Sequence, residues 1–184
     1  VPVGTTGESP TLSHEEHHVI IKRCVEVVRG RAMVLAGCGS NNTRESLSLI
    51  EYAEKIGADA ALLVSPYYNR PSQEGLFLHY KAVAEHTRLP VVMYSVPSRT
   101  GREIAVETVA RLSEIKNIVA IKEAGGSVDR VSAIRNACGI TVISGDDQLT
   151  VPMIAVGAAG VISVASNAIP GEIKKMVCAA LAGD

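Results

Sequence analysis

Two kinds of segment alternate along the chain. Short, continuously apolar runs occupy residues 32–37, 60–65, 90–96, 117–124, 140–144 and 160–164, each rich in Val, Ile, Leu and Ala and each of strand length. Between them lie amphipathic windows with helical spacing, at 14–29, 43–56, 73–87, 105–114, 127–136, 148–156 and 172–181. Local punctuation agrees with this division. Ser13 followed by Glu16 is a capping-box pattern, Gly30 and Gly57 suit helix C-termini, and Pro90 opens a strand where a missing amide costs least.

Strands that are apolar throughout must be covered on both faces, which leaves a doubly wound sheet or a (β/α)8 barrel. With residues 1–3 counted as a strand, seven successive βα units follow one another without a domain break, and that number favours the barrel. A complete barrel takes about 250 residues. At 184 residues the chain is short by about a first βα unit and some terminal helices. The expectation is therefore an α/β fold in which residues 1–184 form a single, incomplete TIM-barrel domain, a fragment of a longer protein.

Composition narrows the partners. The chain is 47% hydrophobic and 20% charged, so it can collapse around a core, and 18 basic against 19 acidic residues give no general field for nucleic acid or an anionic membrane. A small-molecule ligand is expected. No apolar stretch is long enough for a membrane span and no signal-peptide pattern opens the chain. Cys24, Cys38, Cys138 and Cys178 form no CxxC pair and are read as reduced thiols of a cytoplasmic protein. One Phe, five Tyr and no Trp make the core aliphatic, so the positions of the tyrosines carry information.

In a barrel the active site lies at the C-terminal ends of the strands. Three of the five tyrosines, Tyr67, Tyr68 and Tyr94, fall there, while Tyr52 and Tyr80 fall on helices. Lys122 ends the run Ile118-Val119-Ala120-Ile121. Pointing into a barrel, its charged form would be disfavoured, leaving a neutral amine able to attack a carbonyl and form a Schiff base. A strand-end lysine can equally snorkel to solvent and pair with Glu123. Tyr94 interrupts an apolar strand one unit earlier, where a phenol can relay protons or simply be a satisfied core residue. Arg99 lies in the loop after that strand and could grip a carboxylate in bidentate fashion. The Gly4-Thr5-Thr6-Gly7-Glu8-Ser9 loop offers hydroxyls and amides for another carboxylate. No nucleotide-binding glycine pattern occurs. His14-Glu15-Glu16-His17-His18 formally matches the zincin HExxH, but it begins in the first helical turn after Ser13 and no third ligand follows at a zincin spacing, so no metal is expected.

GTTGES, PYYNRPSQEG, YSVPSRTG, IKEA, SGDD and GVISVASN, in this order and spacing, resemble the dihydrodipicolinate synthase family over essentially the whole chain. That family belongs with N-acetylneuraminate lyase and the sugar-acid aldolases among the pyruvate-dependent class I aldolases, all (β/α)8 barrels with a Schiff-base lysine. Arg99 in YSVPSRTG separates the synthases from the sialic acid lyases, which carry an apolar residue there.

The resemblance implies a lyase in which Lys122 forms an imine with pyruvate, whose enamine attacks L-aspartate 4-semialdehyde, in the diaminopimelate route to lysine. It assigns proton transfer to Tyr94, linked through Thr5 to Tyr68, the last supplied across a tight dimer interface within a homotetramer. It places the pyruvate carboxylate on Thr6, the semialdehyde carboxylate on Arg99, Gly145 in the pocket lining and the Ile162 carbonyl near the lysine. No cofactor is implied. A feedback site for L-lysine would comprise Ser9, His14, His17, Asn41, Glu45 and Tyr67. The family's first strand and helix and its C-terminal helical segment have no counterpart in the sequence. The competing readings are another Schiff-base pyruvate aldolase acting on a sugar acid, and an inactive barrel with a binding role.

Overall fold

A computed structural model describes residues 1–184. Strands β1 (Leu35–Gly37), β2 (Ala60–Val64), β3 (Val91–Ser95), β4 (Ile118–Glu123) and β5 (Thr141–Ser144) form one parallel sheet in strict sequence order. Each is followed by helical cover: α1 (His14–Val28) precedes β1, then come α2 (Thr43–Lys55), α3 (Gln73–Glu85), a short α4 (Pro97–Thr100), α5 (Val106–Ser113), α6 (Val128–Ala137), α7 (Thr150–Ala155) and α8 (Pro170–Ala182). An order that never reverses has no topological switch point, and right-handed crossovers then place every helix on the same face. This is the winding of a (β/α)8 barrel rather than of a doubly wound sheet.

The seven helical windows all appear, and their ends are chemically marked. Ser13 and Glu16 close a reciprocal capping box on α1, at 3.2 Å and 2.8 Å. Asn42, Ser72 and Ser127 accept from first-turn amides of α2, α3 and α6. The four-residue α4, opened by Pro97, lies inside what the sequence pattern treats as a loop.

The expected seven strands become five, and both corrections have a backbone cause. Residues 1–3 form a turn: Pro2 has no amide to donate and Val3 sits at φ 47°, so the segment keeps a single bond to the sheet, from the Gly37 amide to the Pro2 carbonyl at 3.1 Å. Residues 160–164 make one bridge, Val161 beside Ser144, before the chain turns into a 3-10 helix at Ala165–Asn167. Both segments still occupy the positions flanking β1 and β5.

The pleat sorts the side chains into two layers. Ala61, Leu63, Val91, Met93, Ile121 and Val142 face the helices and pack with Leu76, Val109, Ile134 and Met153. Leu62, Val92, Tyr94, Val96 and Ala120 form the inner layer. The four cysteines are free thiols, and burial pushes that of Cys38 up to about 12.

At its C-terminal edge the helix-facing layer turns polar. Ser95, Glu123 and Ser144 are neighbours in register and fully buried. Glu123 Oε2 accepts from Arg130 Nε at 2.8 Å and Oε1 from the Gly125 amide at 2.7 Å, while Arg130 also reaches Glu103 at 3.1 Å and the Ile104 carbonyl. Burial raises the Glu123 carboxyl, and Arg130 with the Gly125 amide pulls against it. The network ties β4 to α6 and to the segment before α5. Arg130→Met is expected to cost about 3–5 kcal/mol in urea denaturation, because it strands a buried carboxylate. Adding Glu123→Leu is expected to restore part of that loss.

Candidate active site

β3 and β4 pair with Tyr94 directly beside Lys122, so the pleat projects both side chains from the inner face. Lys122 is 8% exposed and Tyr94 6%, and the lysine Nζ lies 4.2 Å from the centre of the Tyr94 ring. The next residue, Glu123, is turned to the opposite face and taken by Arg130. That pairing removes the alternative in which Lys122 is neutralised by its neighbour.

Burial lowers the Lys122 amine from its usual range to about 8, opposed only by the charge of Asp147. Burial raises the Tyr94 phenol, against which the Thr5 hydroxyl and the charge of Arg99 act. Gly145 follows β5 where a side chain has no room: a Cβ there would stand 2.8 Å from that of Ala124 and 2.9 Å from Lys122 Cε. The glycine thus leaves the lysine stem its place.

A cavity of about 600 Å³ opens over Lys122, between the N-terminal segment and the segment after Val161. Thr5, Thr6, Ile162 and Ser163 line it together with the lysine. The Ile162 amide donates to the Ser144 carbonyl at 2.9 Å, which holds that wall to β5. An amine of lowered basicity in a hydroxyl-lined cavity, with a buried phenol beside it, can perform carbonyl addition and proton transfer.

Four of the residues predicted for catalysis and substrate binding do not line this cavity: Tyr94 shares a narrow crevice with Thr5, Gly145 backs the lysine stem, and Tyr68 and Arg99 lie further off. Tyr68 is 90% exposed at φ 70°, and it lines a shallow surface hollow with Tyr67, Arg70 and Arg99. Within one chain, Thr5 and Tyr94 therefore share a crevice from which Tyr68 is absent. Arg99 lies on α4, close enough for its charge to act on the Tyr94 phenol.

A second hollow, of about 250 Å³, gathers Ser9, His14, His17, Glu45 and Tyr67. Asn41 lies beside it, next to the lining residue Ser40, and its carbonyl accepts from Asn69 at 3.1 Å. His14 Nε2 meets Glu45 Oε1 at 2.9 Å, and the other Glu45 oxygen takes the Ser40 hydroxyl. His17 is buried with Nδ1 unpartnered, and burial, then the neighbouring His18, lowers its pKa. The zincin-like pair is thus split, since His14 is bound to Glu45 while the His18 ring stacks on Tyr52 at 3.8 Å.

Sequence reasoning assigned no role to Asp147 or Arg130. Arg130 was signalled indirectly: alternation sends Glu123 toward the helices, where it needs a cation from the following helix. Asp147 gave no such sign, because its partners come from sixteen to eighteen residues further on.

The family model described as the dihydrodipicolinate synthetase family matches residues 1–184. A 4-hydroxy-tetrahydrodipicolinate synthase of Geotalea uraniireducens is 57% identical over 185 residues, covering 100% of this chain and 64% of that protein. The structure of the synthase from Methylacidiphilum fumariolicum SolV superposes with a TM-score of 0.98 at 57% identity, over 99% of this chain and 62% of that one. A chloride-inhibited synthase of Acinetobacter baumannii complexed with pyruvate has a TM-score of 0.96 at 48% identity, over 99% and 63%. One from Cyanidioschyzon merolae with lysine bound has 0.94 at 40%, over 97% and 61%. The chain spans somewhat less than two thirds of the length of these relatives.

Proposed function

The chain belongs to the dihydrodipicolinate synthetase family, and we propose that its 184 residues form a single, incomplete TIM-barrel catalytic domain of a 4-hydroxy-tetrahydrodipicolinate synthase. The observation that carries the reading is the buried Lys122 amine, lowered to about 8, beside Tyr94 on the inner face of the sheet. Against an ordinary lysine that shift enlarges the neutral, nucleophilic fraction at pH 7 about 300-fold.

In this reading the Lys122 nitrogen adds to C2 of pyruvate, and the carbonyl oxygen leaves as water to give the protonated imine. Loss of a proton from C3 gives the enamine, which bonds to the aldehyde carbon of L-aspartate 4-semialdehyde, the aldehyde oxygen taking a proton to become the 4-hydroxyl. The aspartate amine then displaces Lys122 from C2, closing the ring and freeing the lysine, so one water is released overall. Tyr94, coupled to Thr5, moves the protons. Thr6 holds the pyruvate carboxylate, Arg99 that of the semialdehyde, Gly145 keeps the lysine stem in place and the Ile162 carbonyl stands near it.

Tyr68, turned outward, serves the site of a neighbouring subunit in a homotetramer of tight dimers. The hollow of Ser9, His14, His17, Asn41, Glu45 and Tyr67 binds L-lysine as a feedback inhibitor, for which the lysine-bound relative is the support. The enzyme works in the cytoplasm, in the diaminopimelate route to lysine. No helix is long and apolar enough to cross a membrane. Nothing favours a sugar-acid substrate or an inactive barrel.

Borohydride added with pyruvate is expected to leave a reduced adduct on Lys122 alone, seen by peptide mapping, and none in Lys122→Ala. Tyr94→Phe is expected to slow trapping by about 10²- to 10⁴-fold. An adduct on another lysine refutes the mechanism. Calorimetric titration with L-lysine is expected to show binding that weakens about tenfold or more in Glu45→Gln, with trapping at Lys122 retained.

A further inference from the structure

One carboxylate at the ends of the strands has no place in this scheme. Asp147 lies three residues beyond β5, and its Oδ2 accepts from the backbone amides of Val164 at 3.1 Å and Ala165 at 3.0 Å. Those residues continue the wall of the Lys122 cavity, to which Ser163 and Val164 contribute. The other oxygen, Oδ1, is buried and has no hydrogen-bond partner. A cap for the 3-10 helix needs only Oδ2, and burying an unpaired carboxylate oxygen is costly unless a positive charge compensates it.

Lys122 is the cation whose charge acts on Asp147, at longer range than an ion pair. Burial would raise the Asp147 carboxyl, yet the Ser163 hydroxyl, the two amides and Lys122 together hold it below the usual range. In return, Asp147 is the group that supports the protonated state of Lys122 against burial. The other titratable group facing Lys122 is the Tyr94 phenol from β3. It brings no negative charge at neutral pH, since burial raises the phenol.

We propose that Asp147 is a positioning residue for the lysine chemistry: through Oδ2 it fixes the Ser163 to Ala165 wall, and through its charge it favours the cationic imine on Lys122. The protonated imine, rather than the neutral one, is the electron sink for C3 deprotonation, so a fixed anion beside it sustains turnover where solvent cannot. The assignment rests on Lys122 as the imine-forming residue.

Asp147→Asn keeps the oxygen that accepts both amides and removes the charge. Two readouts test it in the 184-residue chain: the pH profile of Lys122 modification by 1-fluoro-2,4-dinitrobenzene, mapped by peptide mass, and borohydride trapping of pyruvate. The expected midpoint of Lys122 modification falls by roughly half a pH unit or more, because the stabilising anion is gone. Trapping at pH 7.5 nevertheless drops about tenfold or more, although more amine is free. A loosened wall alone would hydrate Lys122 and move the midpoint up, so an unchanged or raised midpoint overturns the proposal. If Asp147→Asn does not fold, Asp147→Glu is read instead: it keeps the charge, so a midpoint that falls in that variant overturns it equally. Unmodified protein that traps no pyruvate on Lys122 refutes the Schiff-base reading; trapping that survives with an unmoved midpoint in Asp147→Asn refutes only the role of Asp147.

Discussion

A β-strand sends successive side chains to opposite faces, and β4 ends on two ionisable residues in succession. The pleat therefore forces a choice at Lys122 and Glu123: one must enter the inner layer and the other the helix layer, both away from water. Register decides which. With Tyr94 opposite Lys122 and Ser95 opposite Glu123, the amine shares the inner face with a phenol while the carboxylate joins a polar row beneath the helices. A slip of one residue would exchange them, leaving a carboxylate in the cavity and an amine facing Arg130.

The rest of the site follows from keeping these two charges apart. Arg130 and the Gly125 amide satisfy Glu123, so it is no longer free to neutralise the lysine next to it. Lys122 is left with burial, which lowers its basicity, and with the more distant Asp147, which limits that lowering. Gly145 and the wall at Ile162 and Ser163 shape the space around the amine. The ion pair on the outside of the sheet thereby sets the chemistry on the inside, through a single strand.

The winding of the chain was legible because it depends on local pattern. Apolar runs and helical spacing located every long helix, and Ser13 with Glu16 marked a real capping box. The two flanking segments were misjudged as strands because apolar character does not reveal backbone geometry, such as the left-handed φ of Val3 or a turn starting after a single bridge. At the site, Lys122, Tyr94 and Gly145 were visible as interruptions or ends of apolar runs. Arg130 was signalled only through the burial of Glu123, and Asp147 stood in SGDD at a strand end without a role, since each acts through contacts that only the assembled sheet creates. The outward setting of Tyr68 likewise lies beyond periodicity, which does not say which way a loop residue points.

The central claim is that burial on the inner face of β4 lowers the basicity of Lys122. Nuclear magnetic resonance titration with ¹³Cε-labelled lysine, with Lys122 assigned by its loss in Lys122→Arg, measures this directly. The predicted result is a Lys122 midpoint at about 8. A Lys122 midpoint at about 10.4, the ordinary value for a lysine side chain in water, would contradict the account.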